Sequence, residues 1–471
     1  MNREAGPRNA NRLNHGAKLW CEYVDSKLPR QLDKWLADKL RTEKKFGSQD
    51  RRFYSDLLFS AARTATTTLF CDFLAREFKI SDLNSFLLQS SDAQRKQTEV
   101  FSQAVKSEAE LWEAIKKLKA EVVVQDAFQA SHPELEKISD ADKWRQRLIN
   151  DLRENDSEDQ IPHEADLSLL LVAHGIPAAW TSLLNDRIRR SGWLLDDLVR
   201  FVSLQNVRAP LWIRLNNTEK RHEVEKDLTS HDLAVTWMEG GEAALVRGSF
   251  GVYQCDSFKA GFFEVQDGAS QQIASSVHAK PGEKIWDACA GGGGKSVALA
   301  AGLRGKGALY ASDIREHKLE EAKRRCQRAG FHNVRTLVWN GADSPKFGKE
   351  IYLQAGFDAV LVDAPCSSSG TWRRNPDARL RIADSDSRKS LLDLQLKLLL
   401  NAAALVRPGG RLVYGTCSWC VDENEKIAES FLSERANVFN AQTASSLSEL
   451  FGAPKQDSDT MYSARFERRQ S

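Results

Sequence analysis

Two cysteines stand where chemistry is expected. Cys366 lies in DAPCSSSGTWRRNPD, from Asp363 to Asp377, and Cys417 in YGTCSWCVDENE, from Tyr414 to Glu425. Each follows an apolar run, FDAVLV or RLVY, that reads as a buried strand, so both thiols are expected where strands of an open α/β sheet hand over to loops. Ligands of such sheets bind outside those strand ends. A thiolate is the natural protein nucleophile, and Asp363 stands three residues before Cys366. Two thiols and a carboxylate at adjacent strand ends therefore read as a covalent-catalysis site.

The elements around them alternate. KIWDACA, a glycine loop with a helix, ALYASD, a helix rich in Lys and Arg, VRTLVWN, FDAVLVDAP, the helix SLLDLQLKLLLNAAALV closed by RPGG, RLVYGTCS and a last strand near MYSARF predict a doubly wound, mostly parallel sheet over about residues 252–471. Before it, residues 171–251 read as a helical linker and a small α+β lobe: LWIRLN, AVTWM and GEAALVRG as strands, EKRHEVEKDLTS as a helix. In GFFEVQDGAS, Asp267 is placed to cap the next helix. Residues 1–170 carry helical spacing in LWCEYVDSKLPRQLDKWL and DRRFYSDLLFSAARTATTTLFCDFLARE, with a polar, acidic and mobile stretch expected at RENDSEDQIPHEAD. Basic helix faces such as Arg51 and Arg52 make an RNA-docking role the functional reading of this domain and a folded appendage the bland one.

The glycine loop, DACAGGGGKS from Asp287 to Ser296, sits where a nucleotide-like cofactor meets backbone N–H groups. A phosphate-binding loop requires glycine where Cys289 stands, and the dinucleotide fingerprint requires it at Ser296, so both spacings fail. Asp313 ends the second strand, where a carboxylate holds ribose hydroxyls. Asp343 is placed to face an adenine amino group, with Asn340 competing for that task. A nucleoside cofactor without a phosphate chain fits best, and S-adenosylmethionine is the common one. Methylating carbon 5 of a pyrimidine gives the thiols a purpose: a thiolate added to carbon 6 makes carbon 5 nucleophilic, and an acid at ring nitrogen 3, here Asp363, neutralises the charge. The base that removes the carbon 5 proton is not identified by the sequence.

Composition agrees with a globular chain. The 471 residues are 41% hydrophobic and 28% charged, too ordinary for wholesale disorder, and the net charge of +2 neither demands nor excludes a polyanion. Cys21, Cys71, Cys255 and Cys326 read as structural, and Cys289 as lining the cofactor loop. Cys417 and Cys420 form C-x-x-C without a second pair at zinc spacing, so no metal is expected, and a redox role is the minor alternative. Without a secretory leader or a membrane-length apolar run, a reducing, cytoplasmic setting is the default expectation.

These motifs resemble those of the RNA cytosine-5 methyltransferases of the RsmB/NSUN family over about residues 210–468, with LWIRLN, GFFEVQDGAS, DACAGGGGKS, DAPCSSSGTWRRNPD, PGGRLVYGTCSWCVDENE and DTMYSARFER all family-like. The resemblance implies a Rossmann-like S-adenosylmethionine methyltransferase domain, Cys417 as nucleophile, Cys366 in product release and Asp363 at the cytosine. Cys289, Ala290, Gly291, Gly292, Gly293, Gly294 and Lys295, with Asp313, Asp343 and Asp363, would surround the cofactor. Arg373 and Arg374 would lie near the RNA backbone. SQDRRFYSDLLFSAART is similar to a NusB-like domain, which implies ribosomal RNA ahead of transfer RNA as substrate. The sequence departs from the family in having Gly291 where proline is usual, expected to weaken cofactor binding, and the extra thiol Cys420, expected to permit oxidative inactivation. The rival from another class is a non-catalytic ribosome-assembly scaffold, which would need none of Cys366, Cys417 and Asp363.

Overall fold

The structure is a computed structural model that describes residues 7–26, 31–43, 45–80, 82–131, 140–155, 162–248, 251–382, 384–441 and 448–470. The chain divides into two compact units: Met1–Arg208 with Thr371–Ser387, and Ala209–Gly370 with Arg388–Ser471. Residues 156–161 of the expected acidic stretch lie outside the described residues. No helix among the described residues is long and apolar enough to cross a membrane.

The first unit is helical, as the spacing predicts. Its longest helix, Ser48–Glu77, buries Leu57, Leu58, Ala61, Ala62, Ala65, Leu69 and Phe70, and small Ala and Thr side chains let neighbouring helices come close. The Thr67 hydroxyl donates to Val172 O at 2.8 Å. Two boundaries differ from the expected ones. The helices Thr181–Ser191 and Leu195–Leu204, expected in a linker, bury Leu184, Ile188, Leu198, Phe201 and Val202 and belong to this unit. So does Thr371–Ser387, expected to be catalytic: Trp372 meets Trp180 edge-on with centroids 5.0 Å apart, and Trp180 Nε1 donates to Arg379 O at 2.8 Å.

The second unit holds two sheets. The smaller is antiparallel, with β1 (Leu211–Leu215), β2 (Ala234–Trp237), β3 (Ala243–Arg247) and β4 (Phe263–Val265) in the order β2-β3-β1-β4. β4 comes from beyond the expected lobe boundary, so the lobe is not closed at residue 251. The Asp267 carboxylate accepts from Ala269 N and caps the helix Gly268–Ser276, as expected.

The larger sheet has β5 (Lys284–Asp287), β6 (Ala308–Asp313), β7 (Val334–Val338), β8 (Phe357–Asp363), β9 (Val406–Thr416), β10 (Phe439–Ala441), β11 (Ser448–Phe451) and β12 (Met461–Arg468). The order is β10-β12-β9-β8-β5-β6-β7, with β11 on β12. β5 to β9 run parallel, while β12 is antiparallel to β9. β8 is apolar on both faces because both are covered. Val360 and Val362 pack with Leu398, Leu399 and Ala402, and Ala359 and Leu361 with Ile273, Leu299 and Leu303. Asp363 pairs with Gly415, so the loops bearing Cys366 and Cys417 leave neighbouring strands side by side.

The arginines of Thr371–Ser387 yield a stability prediction. Arg379, 0% exposed, donates to His174 O, Gln205 O and Asn206 Oδ1. Truncation to alanine strands these acceptors, so R379A should cost about 2–4 kcal/mol, whereas R374A, at an exposed position, should stay within about 0.5 kcal/mol. Urea unfolding of the full chain checks both, and equal costs would overturn the structural role of Arg379.

Candidate active site

The glycine loop between β5 and the helix Gly294–Gly302 is shaped by two contacts. Gly291 N donates to Asp313 Oδ2 at 3.0 Å, and Arg325 donates to Gly292 O at 3.0 Å while also gripping Glu264. Gly293 has φ +82°, and a Cβ there would lie 2.6 Å from Ala322, so only glycine lets the loop settle on the neighbouring helix. Below the loop, Asp287 is fully buried and accepts from the Ser296 hydroxyl at 2.6 Å.

Outside the strand ends lies a cavity of about 600 Å³ lined by Cys289, Ala290, Gly291, Gly292, Gly294, Lys295, Asp313, Ile314, Arg315, Trp339, Asn340, Asp363 and Pro365, with Leu394 and Leu398. Its size suits a nucleoside-sized molecule. Burial raises the Asp313 carboxyl, but hydrogen bonds from Arg315 and Gly291 outweigh it and hold the group below its ordinary value. Asp313 is thus an acceptor at neutral pH, as ribose hydroxyls require.

Two expected residues fall elsewhere. Gly293 supports the loop from behind and does not line the cavity. Asp343 is exposed, and its carbonyl accepts from Trp339 Nε1 at 2.7 Å; its competitor Asn340 lines the cavity instead. The chain turns sharply after β7, and spacing could not resolve which polar residue faces inward. Sequence reasoning also missed Ile314 (64% exposed) and Leu394 (37% exposed), large apolar side chains presented to the cavity. For Ile314 the available signal was an apolar residue directly after the strand-ending Asp313; Leu394, inside the helix Ser385–Ala403, had none.

Beside the cavity, Lys295 Nζ donates to Asp363 Oδ2 at 2.8 Å. Burial works against the ammonium, but Asp363 outweighs it and holds Lys295 above its ordinary value. Cys366 and Cys417 have their sulfurs 3.2 Å apart and unbonded. The contact is a hydrogen bond in which either sulfur can be the donor. That hydrogen bond lowers Cys417 despite burial and Asp363, with help from Ser368 and Lys295, and it raises Cys366, which burial raises further. Ser368 reaches 3.7 Å from Cys417 Sγ out of a left-handed turn at φ +59°, a conformation unusual for serine. Gly370 completes the turn: its N–H donates to Cys417 O at 3.0 Å, and a Cβ there would lie 1.6 Å from Thr460 O.

Arg373 requires correction. Expected at an RNA backbone, it is 1% exposed and donates to Val207 O and Arg208 O inside the helical unit, so it cannot offer its charge to a phosphate. Its neighbour Arg374 is exposed. Cys420 is buried with its sulfur 3.5 Å from Ser369 Oγ, and burial, with Glu423, pushes its thiol up to about 12.

A parallel sheet with this strand order, a glycine loop after β5 and a cavity beyond the strand ends defines the Rossmann-like fold of S-adenosylmethionine-dependent methyltransferases. Solved structures of similar fold include PH0851 (TM-score 0.58, 24% identity, 87% of this chain and 98% of that one) and NSun6 from Pyrococcus horikoshii with SFG (0.52, 16%, 61% and 98%). Residues 274–467 match the model of the 16S rRNA methyltransferase RsmB/F family. Similar relatives are the probable ribosomal RNA small subunit methyltransferase B of Bacillus subtilis (strain 168), 36% identical over 38% of this chain and 38% of the relative, and that of Synechocystis sp., 34% over 49% and 51%. Ribosomal RNA small subunit methyltransferase B of Xanthomonas campestris pv. campestris is 32% identical over 55% and 59%. The matches span about four- to six-tenths of these relatives' own length. Over residues 274–467, less than half of its length, the chain is similar to the RsmB/F family.

Asp287 provides a pH test. Burial pushes its carboxyl up to about 7, more than the Ser296 hydrogen bond can lower it. An unfolded aspartate titrates near about 3.9, so between these values the folded state binds more protons and stability falls as pH rises. D287N, neutral throughout, lacks that slope. Its melting temperature should gain on wild type from about pH 5 to about pH 8, and a constant difference would refute the raised pKa.

Proposed function

We propose that this protein is an S-adenosylmethionine-dependent RNA methyltransferase that forms 5-methylcytosine in small-subunit ribosomal RNA. The observation that carries the reading is the thiol pair, with sulfurs 3.2 Å apart, beside a lysine–aspartate pair on the cavity wall. The cavity fits the cofactor: Asp313 and Asn340 offer polar contacts for ribose and base, while Ile314, Leu394 and Leu398 offer apolar cover. S-adenosylmethionine, when bound, supplies an electrophilic methyl group.

The protein's own groups do the rest. A cytosine flipped from its RNA context meets Cys417, whose thiolate adds to ring carbon 6. Asp363, expected as the acid at ring nitrogen 3, is paired with Lys295 and so accepts from the exocyclic amine instead, while the Lys295 ammonium meets the negative charge that addition places on the ring. Carbon 5 is then nucleophilic enough to take the methyl group. A base then takes the carbon 5 proton, the electron pair of that bond restores the ring double bond, and Cys417 leaves carbon 6 as a thiolate, with Cys366 serving release. Both thiols must stay reduced, so the cytoplasm is the fitting compartment. Ribosomal RNA is favoured over transfer RNA by the names of the relatives and by the helical unit.

Transfer of labelled methyl to unmodified small-subunit ribosomal RNA and to transfer RNA tests the reading. Wild type should label cytosine in the first. C417A should lose at least about 10³-fold in rate, and C366A should accumulate an RNA-linked protein. Full activity of C417A would end the covalent mechanism, and labelling of transfer RNA alone would reassign the substrate. For the cofactor, N340A should weaken S-adenosylmethionine binding about tenfold by calorimetry, while D343A should change it less than about twofold; the reverse order would overturn the assignment of Asn340.

A further inference from the structure

The loops bearing Cys366 and Cys417 leave different strands, and a 3.2 Å approach of two sulfurs needs both loops in register. One buried carboxylate that the chemistry above does not use reaches both. Glu423 is 0% exposed. Its Oε2 accepts from Ser367 N at 2.8 Å and Gln395 Nε2 at 3.2 Å, and its Oε1 accepts from the Ser418 hydroxyl at 3.1 Å. Ser367 follows Cys366 and Ser418 follows Cys417, so the carboxylate grips the residue next to each sulfur. Gln395 also donates to Pro365 O at 2.9 Å, holding the other side of Cys366. Glu423 is itself fixed, because its carbonyl accepts from Tyr414 OH at 2.6 Å and its N–H donates to Asp422 Oδ1 at 2.9 Å.

We infer that Glu423 is a positioning residue: it clamps the two cysteine loops together and so holds the Cys366 and Cys417 sulfurs within hydrogen-bond distance. Apolar packing would fill the same space at lower desolvation cost, but it could not accept from both loops at once. The surrounding charges are consistent. Glu423 faces Arg388, 3.7 Å away on the helix Ser385–Ala403, and Asp422 and Cys420 of its own loop. Arg388 also pairs with Asp422, so a guanidinium already serves as the cation of this cluster. Cys417 faces Cys366, Asp363 of β8 and Lys295. The negative charge of Glu423 adds to what keeps the proton on Cys366.

The inference rests on the reading of Cys417 as nucleophile, but its test reads the sulfurs directly. Full-length wild type, E423Q and S418A are alkylated with iodoacetamide from about pH 6 to about pH 9, and each cysteine is quantified by mass spectrometry. Wild type should react at Cys417 before Cys366. E423Q, in which an amide N–H₂ faces one of the donors, should lose about tenfold of that preference and shift the Cys417 pH midpoint upward, with its circular dichroism spectrum retained. S418A removes the Oε1 partner, together with the hydroxyl that meets Cys420 N and Ser369 Oγ, but leaves both Oε2 contacts in place; it should move both readouts in the same direction by less, which keeps the test open if E423Q does not fold. Unchanged selectivity in a folded E423Q, or in S418A where E423Q is unfolded, overturns the proposal. Loss of selectivity in a protein that transfers no methyl to any RNA would uphold the clamp and sink the methyltransferase reading instead.

Discussion

The parallel pairing of β8 with β9 is the constraint on which the site depends. Val362 pairs with Tyr414 and Asp363 with Gly415, so the chain leaves both strands at the same level of the sheet. Cys366 comes three residues after Asp363 and Cys417 two after Gly415, which brings both thiols to the same sheet edge. A slip of one residue would turn Val360 and Val362 away from Leu398 and Leu399 and carry Asp363 away from Lys295. Burial of the strands on both faces makes such a slip costly, at about 1.5–3 kcal/mol for each large apolar side chain exposed. The chemistry thus inherits its precision from the core.

Parallel neighbours also need a long connection, and this one does more than return the chain. Between β8 and β9 it supplies Ser367 to Gly370, which shape the cysteine turn, then Thr371–Ser387, which belongs to the helical unit, then the helix whose Leu394 and Leu398 line the cavity and whose Gln395 holds Pro365. Three tasks are written into one crossover. Buried Arg373 and Arg379 of Thr371–Ser387 donate mainly to backbone carbonyls, while the half-buried Arg381 pairs with the buried Asp377 carboxylate, so the segment keeps its shape through both kinds of contact.

The sheet was legible because parallel strands covered on both faces read as apolar runs, and because site residues gather where those runs stop. Cys366, Cys417, Asp363, Asp313 and the glycine loop all follow from that rule. What the sequence concealed shares a different property. WRRNPDARLR reads as a basic solvated face, yet Arg373 and Arg379 are buried, because the type of a residue does not say whether its partners are phosphates or carbonyls. VDENE contains four residues of similar polarity after Val421, of which Glu423 and Asn424 are both fully buried, and no periodicity marks Glu423 as the one that lies between the two cysteine loops. Asn340 and Asp343 were inseparable because they lie on a turn, where neither helical nor strand spacing applies.

Cys420 shows how geometry overrides a motif. C-x-x-C places Cys420 three residues from Cys417, which on a helix N-terminus would favour a redox pair. Here the loop after β9 is held by Asn424, which donates to Ser418 O at 2.9 Å and accepts from the Thr416 hydroxyl at 2.5 Å, and Cys420 is left beside Ser369. A thiol pushed up to about 12 is protonated and a poor nucleophile, so the expected oxidative weakness does not lie with Cys420. The sulfur that meets Cys417 comes instead from 51 residues earlier in the chain, across the β8–β9 pairing. A single shared proton can hold two sulfurs this close, and this is why the charges around the pair matter more than the spacing of the motif.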